Sequence, residues 1–310
     1  MNNLELISII SPIYKAENTI DALVSEIQSA VAPMKHAYEI ILVEDGGCDK
    51  SWDIIQRYGR LDKRVKGIKL SRNFGQHQAV TAGIQYASGA WLIILDCDLQ
   101  DDPKYIVDLL EKAKEGFDIV FTKRGNRQHS EFKKITAALF NLVLGLISDK
   151  RYDIDYGSMV LLSKKVQQQY LRINDNERLY LQLLKWLGFN QTSIPVIHRP
   201  RLRGKSTYTV SMLVRLAIAG WTSNSDRLLR FSIYIGLMFS STSIFGAIYI
   251  IWQYFNSGFQ SGWASIFVLL LLSTGLVLSS IGVLGIYIGK TFKQSKANPL
   301  FIVEEEINLN

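Results

Sequence analysis

Over the first 122 residues, short apolar runs alternate with stretches of helical spacing. Leu6–Ile10 is a compact apolar run that stops at Ser11-Pro12, and it predicts a buried strand. Thr19–Ala32 repeats its apolar residues at helical intervals. Glu39–Val43 predicts a second strand, ending in Glu44-Asp45-Gly46-Gly47, and Val65–Leu70 a third. Gln78–Ala87 reads as a helix, and Ala90–Leu95 as a strand that runs into Asp96. Pro103 stands where a helix begins, Lys104–Glu115 continues it, and Asp118–Thr122 predicts a further strand. Strands that alternate with helices predict an α/β fold, a mostly parallel sheet covered by helices on both faces. In such sheets ligands bind beyond the carboxyl ends of the strands. Acidic residues fall at two of those ends, Glu44-Asp45 and Asp96-Cys97-Asp98.

The pattern changes towards the C-terminus. Phe231–Trp252 is a run of 22 residues without a charge, and a second uncharged run extends from Trp263 to Gly289. A bilayer core needs about 20 helical residues, so each run predicts a transmembrane helix. Trp252, Tyr254, Trp263 and Tyr287 lie where interfacial aromatics belong. Arg227 and Arg230 precede the first run, while Lys290, Lys293 and Lys296 follow the second. The positive-inside rule then places both termini in the cytoplasm. Gly282, Gly285 and Gly289 would permit close helix contact, and so a homo-oligomer through this helix. Ile135–Ser148 and Val210–Trp221 predict amphipathic helices lying in the membrane interface. The expected organisation is a cytosolic domain over 1–208, a juxtamembrane helix over 209–228, two spans within 229–289 and a cytosolic tail over 290–310. The first twenty residues carry charges and no long apolar core, so no cleaved secretory signal is expected.

With 48% hydrophobic and 20% charged residues in a chain of 310, a disordered protein is excluded. Two cysteines, Cys48 and Cys97, form neither a disulfide framework nor a zinc pattern. The net charge of +7 is compatible with nucleic acid or an anionic membrane as partner. The basic residues flank the two interfacial stretches, and with two spans present a lipid phosphate is the expected anion and nucleic acid is not. No phosphate-cradling G-x-x-x-x-G-K-[ST] or dinucleotide-binding G-x-G-x-x-G occurs. The four histidines are scattered and predict no catalytic grouping.

Asp96-x-Asp98 is the sharpest chemical feature. It opens a stretch with four aspartates in seven residues, continued by Asp101 and Asp102. Successive residues of an extended segment point to opposite sides, so Asp96 and Asp98 share a face about 6–7 Å apart, and a turn would draw their carboxylates together. Once converged, such hard oxygen ligands suit Mg²⁺ or Mn²⁺ bound together with substrate phosphates, and Gln100 can add an amide oxygen.

Those residues carry a resemblance. From SPIYKAEN through VEDGGCDKS, LSRNFGQHQAVTAG, LDCDLQDDP, KRGNRQ, DYGSM and RLRGKSTY to IGVLGIYIGK, the chain resembles the family 2 inverting glycosyltransferases that act on polyisoprenyl phosphates. That group includes dolichol-phosphate mannosyltransferases, bactoprenol glucosyltransferases and undecaprenyl-phosphate 4-deoxy-4-formamidoarabinose transferases. The resemblance implies a GT-A fold, a nucleotide-sugar donor (UDP-linked), a divalent metal and undecaprenyl phosphate as acceptor. It also implies a place in the bacterial inner membrane, in the making of cell-envelope glycan or lipopolysaccharide. By position it assigns Pro12, Tyr14, Glu17, Asp45 and Arg72 to the nucleotide. Asp96, Asp98 and Gln100 fall to the metal, and Asp98, Arg124 and Ser158 to catalysis. Arg124, Arg127, Lys133, Arg201 and Lys205 would bind the acceptor phosphate. The pattern departs from the family at Ala16, Glu44, Lys205 and Ile286, where relatives carry other residues. Two alternatives follow. Gln182-Leu183-Leu184-Lys185-Trp186 partly echoes the Q-x-x-R-W element of processive polysaccharide synthases. The departures themselves would suit a membrane scaffold that has lost activity.

Overall fold

A computed structural model describes residues 6–34, 36–124, 156–173, 175, 178–197, 199 and 263–309, with scattered positions between 232 and 256. The chain divides into two compact units. One comprises Met1–Gln128, Asp153–Ser206 and Asn298–Asn310; the other comprises His129–Tyr152 and Thr207–Ala297.

The first unit is built on one eight-stranded sheet. In chain order its elements are β1 (Ile7–Ile13), α1 (Ile20–Val31), β2 (Tyr38–Glu44), α2 (Ser51–Leu61), β3 (Val65–Leu70), α3 (Gln76–Tyr86), β4 (Trp91–Ile94) and α4 (Tyr105–Lys114). They continue with β5 (Ile119–Arg124), β6 (Tyr156–Ser163), α5 (Lys164–Arg172), α6 (Tyr180–Trp186) and β7 (Gln191–Val196), and close with β8 (Val303–Ile307). The strand order is β7-β5-β6-β4-β1-β2-β3-β8. β1 pairs in parallel with β2 and β4, β2 with β3, and β5 with β7. β6 runs antiparallel between β4 and β5, and β8 runs antiparallel along β3. This is a GT-A-like α/β fold with a mostly parallel sheet.

The period of two along the strands separates two cores. Ile7, Ile9, Ile40, Leu42 and Ile93 face α1, α2 and α4. Ile10, Ile41, Val43, Leu92 and Ile94 face α3, α5 and α6. Central strands buried on both faces read as nearly unbroken apolar runs, which is why β1, β2 and β4 are legible in the sequence.

The boundaries differ from expectation most at the end of β1. β1 does not stop at Ser11-Pro12; it continues to Ile13, with Pro12 in register with Val43. Ile10 accepts an amide from Leu95 on the β4 side, and Ile13 accepts one from Asp45 on the β2 side. Pro12 therefore turns its missing N–H towards β4, where the ladder has already ended at Ile10–Ile94.

In the second unit, α7 (Trp263–Ser295) has 33 residues, or about 50 Å of helix. Its Ser273–Phe292 stretch is long and apolar enough to cross a membrane, the one such stretch among the described residues. Ile266, Leu269, Leu270, Val277, Leu278 and Ile281 are exposed along it. Half of the residues of the expected span over Phe231–Trp252 are described, and those are helical; Ile135–Ser148 and Val210–Trp221 lie outside the described residues.

Candidate active site

The carboxyl ends of β1, β2 and β4 open onto a cleft of about 370 Å³, lined by Pro12, Ile13, Tyr14, Asp45, Asn73, Gly75, Gln76, Asp96, Cys97 and Asp98. β4 ends at Ile94, so Asp96 to Asp98 are already released from the ladder. The turn that brings them together is closed by Leu99, a buried non-glycine residue held at φ +55°. Such a backbone conformation is costly for a branched side chain and persists only where its surroundings enforce it. Here the enforcement is visible: Leu99 fills the core, and Gln100 N–H donates to Asp98 Oδ1 at 3.2 Å.

Asp96 shows part of its surface to the cleft and is packed in protein on its other sides. Burial, then the neighbouring charge of Asp98, pushes its carboxyl up to about 6, against the pull of hydrogen bonds from Ser158 and Gln76. Gln76 donates Nε2 to Asp96 Oδ1 at 2.7 Å. Behind the turn, Asp101 Oδ2 accepts from Ser158 Oγ at 2.6 Å and from Met159 N–H at 3.1 Å. Tyr180 donates its hydroxyl to the Ser158 carbonyl at 2.9 Å. Asp102 accepts Lys104 N–H at 3.1 Å and the Arg199 guanidinium at 2.5 Å. Burial works to raise Asp102, yet the Lys104 amide and ammonium and the Arg199 charge hold it below the usual carboxylate range. Arg199 N–H also donates to the Gln100 carbonyl. Two of the four aspartates thus brace the turn from behind, and Asp96 and Asp98 line the cleft.

At the end of β2 the acids do different work. Asp45 is buried, and its two oxygens accept Phe74 N–H at 2.7 Å and Gly75 N–H at 2.9 Å. Burial raises its pKa, and those amides offset part of the rise. Glu44 accepts Gly47 N–H at 2.5 Å. Gly46, at φ +64°, lies so close to the Arg72–Asn73 backbone that a Cβ there would collide with it. The loop between β3 and α3 is therefore pressed onto the end of β2.

Other expected residues lie as follows. Pro12 and Tyr14 line the cleft, Tyr14 exposed beneath the Lys15 ammonium. Glu17 is not among the lining residues; its carboxylate accepts Lys50 N–H at 3.1 Å, ahead of α2. Arg72 is exposed, its guanidinium 4.0 Å from the Phe74 ring centroid. Gln100 belongs to the acidic turn but not to the lining. Arg124 is the last residue of β5, in register with Val196 of β7. Arg127, Lys133, Arg201 and Lys205 lie outside the described residues. Gln76 and Asn73 were not singled out in the sequence, although a glutamine opening the helix after Arg72-Asn73-Phe74-Gly75 is a readable signal. His77 packs against Tyr180 with centroids 5.6 Å apart, and burial lowers its pKa, so it stays neutral. Burial, then the Asp96 charge, pushes the Cys97 thiol up to about 12, which removes it as a nucleophile.

The family model for glycosyl transferase family 2 matches residues 8–171, just over half of the chain. The chain belongs to glycosyl transferase family 2. This glycosyltransferase is 34% identical over 304 residues to the uncharacterized glycosyltransferase YkcC of Bacillus subtilis (strain 168), covering 97% of this chain and 94% of that one. It is 33% identical to the uncharacterized glycosyltransferase sll0501 of Synechocystis sp., covering 96% and 95%. It is 30% identical to the undecaprenyl-phosphate 4-deoxy-4-formamido-L-arabinose transferase of Pseudomonas fluorescens (strain Pf0-1), covering 97% and 90%.

Proposed function

We propose that this glycosyltransferase moves a sugar from a nucleotide sugar, UDP-linked, to undecaprenyl phosphate at the cytosolic face of the bacterial inner membrane, with inversion at the anomeric carbon. The observation that carries the reading is the pair Asp96 and Asp98 in a cleft at the carboxyl ends of three adjacent parallel strands. Likeness to an undecaprenyl-phosphate transferase over 97% of the chain supports the acceptor.

The donor set suits Mg²⁺ or Mn²⁺. Among the described residues no group of three or more His, Cys, Asp and Glu side chains could hold a metal. Two carboxylates beside open volume are what a cation shared with a substrate diphosphate needs. Asp96 and Asp98 would hold it, with Gln100 beside them. When bound, it neutralises charge that develops on the leaving diphosphate. The protein's own work is placement. Gln76 orients Asp96, Leu99 and Asp101 fix the turn, and Asp45 fixes the loop that walls the nucleotide side. The acceptor phosphate is anionic at neutral pH and needs positioning more than deprotonation. Arg124, Arg127, Lys133, Arg201 and Lys205 are proposed for that role, with Ser158 next to the metal turn.

The membrane topology has its own support. The chain leaves the first unit after Ser206 and rejoins it at Asn298. A unit on one side of a bilayer can be left and re-entered only through an even number of crossings. If α7 is one crossing, the segment before it supplies another, as the uncharged run Phe231–Trp252 allows. The test is to incubate purified protein with labelled nucleotide sugars and undecaprenyl phosphate. A lipid-linked sugar is expected. Absence of product with every donor, with and without Mn²⁺, would overturn the reading.

A further inference from the structure

The last residues of the chain return to the first unit. Val303–Ile307 pairs antiparallel with β3, with Gly67 opposite Ile307 and Lys69 opposite Glu305. This strand, Val-Glu-Glu-Glu-Ile, holds three consecutive glutamates, and each has a partner. Glu305 accepts Trp52 Nε1 at 3.0 Å, Gln56 at 3.3 Å and the Lys69 ammonium at 3.1 Å. Lys69 also pairs with Glu304 at 3.2 Å, and Tyr86 donates to Glu306 at 2.6 Å. Asn308 donates to the carbonyls of Gly59 and Val65 at 2.7 and 2.9 Å. Ile307 packs on one core, and Phe301, Val303 and Leu309 on the other. The tail is thus bound on both faces of the sheet and along its edge.

One of its backbone hydrogen bonds reaches the loop that borders the cleft. Ser71 N–H donates to the Ile302 carbonyl at 3.0 Å. Ser71 opens the loop that follows β3, and that loop places Asn73 and Gly75 in the cleft wall. Three fastenings hold the loop and the helix start beyond it: Ile302 at Ser71, Asp45 at Phe74 and Gly75, and Asp96 at Gln76. Two of these belong to the cleft itself. The third comes from the tail, which is joined to the membrane-type helix α7 by only Lys296–Ile302. Without β8, β3 becomes the sheet edge and the loop loses its anchor at the start.

We propose that β8 is a positioning element of the nucleoside-diphosphate pocket: by holding the Ser71–Gly75 loop it sets the affinity for the donor nucleotide. This inference rests on the nucleotide-sugar reading above. It assigns the tail a part in donor binding and none in acceptor binding.

Calorimetry with uridine diphosphate and guanosine diphosphate, each with Mn²⁺, tests it on the full chain. The triple variant Glu305→Ala, Glu306→Ala, Asn308→Ala should raise the nucleotide Kd about fivefold or more, the factor that follows from losing one ordinary hydrogen bond. The number of binding sites per chain should stay the same, and so should the KM for undecaprenyl phosphate. A tail that only stabilised the fold would lower the number of sites and leave Kd alone. Glu305→Gln keeps an acceptor for Trp52 and should bind almost as wild type does. As a second arm, a chain ending at Ala297 should bind weakly and recover when a peptide of residues 298–310 is added. If the truncated chain does not fold, the triple variant decides. Unchanged Kd in the variant overturns the inference while wild-type binding keeps the nucleotide-sugar reading intact. Wild-type protein that binds neither nucleotide overturns both.

Discussion

Two strand ends in this sheet carry the same kind of sequence and do opposite work. β2 ends in Glu44-Asp45, and β4 runs into Asp96-Cys97-Asp98. At β2 the local backbone presents free amides, and the carboxylates take them: Gly47 on Glu44, Phe74 and Gly75 on Asp45. At β4 the backbone turns through Leu99, and Asp96 takes side-chain donors, Gln76 and Ser158, beside a second acid, Asp98, which accepts Gln100 N–H. An acid at the end of a parallel strand is therefore not a site in itself. It becomes a candidate where like charges crowd one cleft, as Asp96 and Asp98 do, so that a cation would relieve both.

The contrast can be broken most forcefully at Asp98. Asp98→Ala should lower formation of lipid-linked sugar by about a thousandfold, the scale of a removed electrostatic contact to a developing charge. Equal losses from Asp98→Ala and Glu44→Ala would erase the distinction. Product formation from labelled donor measures both.

pH sharpens it next. Asp96 is raised from 3.8 to about 6, so the folded protein holds a proton there that the unfolded chain releases. Below about 6 the carboxyl is neutral, and Mn²⁺-dependent nucleotide binding should weaken about tenfold per pH unit. The sign for stability is the reverse. A raised carboxyl favours the fold at low pH and costs stability as pH climbs from 3.8 through about 6. Asp96→Asn should therefore melt higher than wild type at pH 7.5, by on the order of 1 kcal/mol, while binding no metal–nucleotide complex. Thermal unfolding at pH 5 and 7.5 reads the difference, which should shrink at the lower pH.

Asp45 should behave as structure first. Asp45→Ala strands two amides in a buried loop and should cost about 1–3 kcal/mol in thermal unfolding. Asp45→Asn keeps an acceptor oxygen and should cost less. The smallest effect concerns the thiols. Cys97 sits inside the acidic turn with its pKa pushed up to about 12, whereas Cys48 is exposed. Maleimide at pH 8 should label Cys48 alone, as mass spectrometry of the intact protein will show.

Much of the parallel half was readable, because strands buried on both faces must be apolar throughout. Ile40 to Val43 could serve no other purpose at that length. Helix α2 is not among the elements read from the sequence: Ser51–Leu61 buries Trp52 and Ile55 and packs Ile54 and Tyr58 partly against the core, but interleaves them with Asp53, Gln56, Arg57 and Arg60. β7 has a single fully buried residue, Val196, and little pattern to betray it. The sequence marks residues 290–310 only as a cytosolic tail, and three glutamates in a row predict no strand on their own. The vacant edge of β3, with the Lys69, Trp52 and Tyr86 side chains beside it, makes Val303–Ile307 a strand.

From its sequence alone, this protein is determined as an alternating α/β chain with an acidic turn after its fourth strand and an apolar C-terminal region. Those features are local, carried by the period of apolar residues and by the clustering of charge. The tertiary structure decided which acids are braces and which face the cleft, that Pro12 can lie within a strand, and that the tail closes the sheet. Each of these depends on what stands across a gap of many residues, on whether an amide, an ammonium or a vacant edge awaits the group, and periodicity carries no information about that.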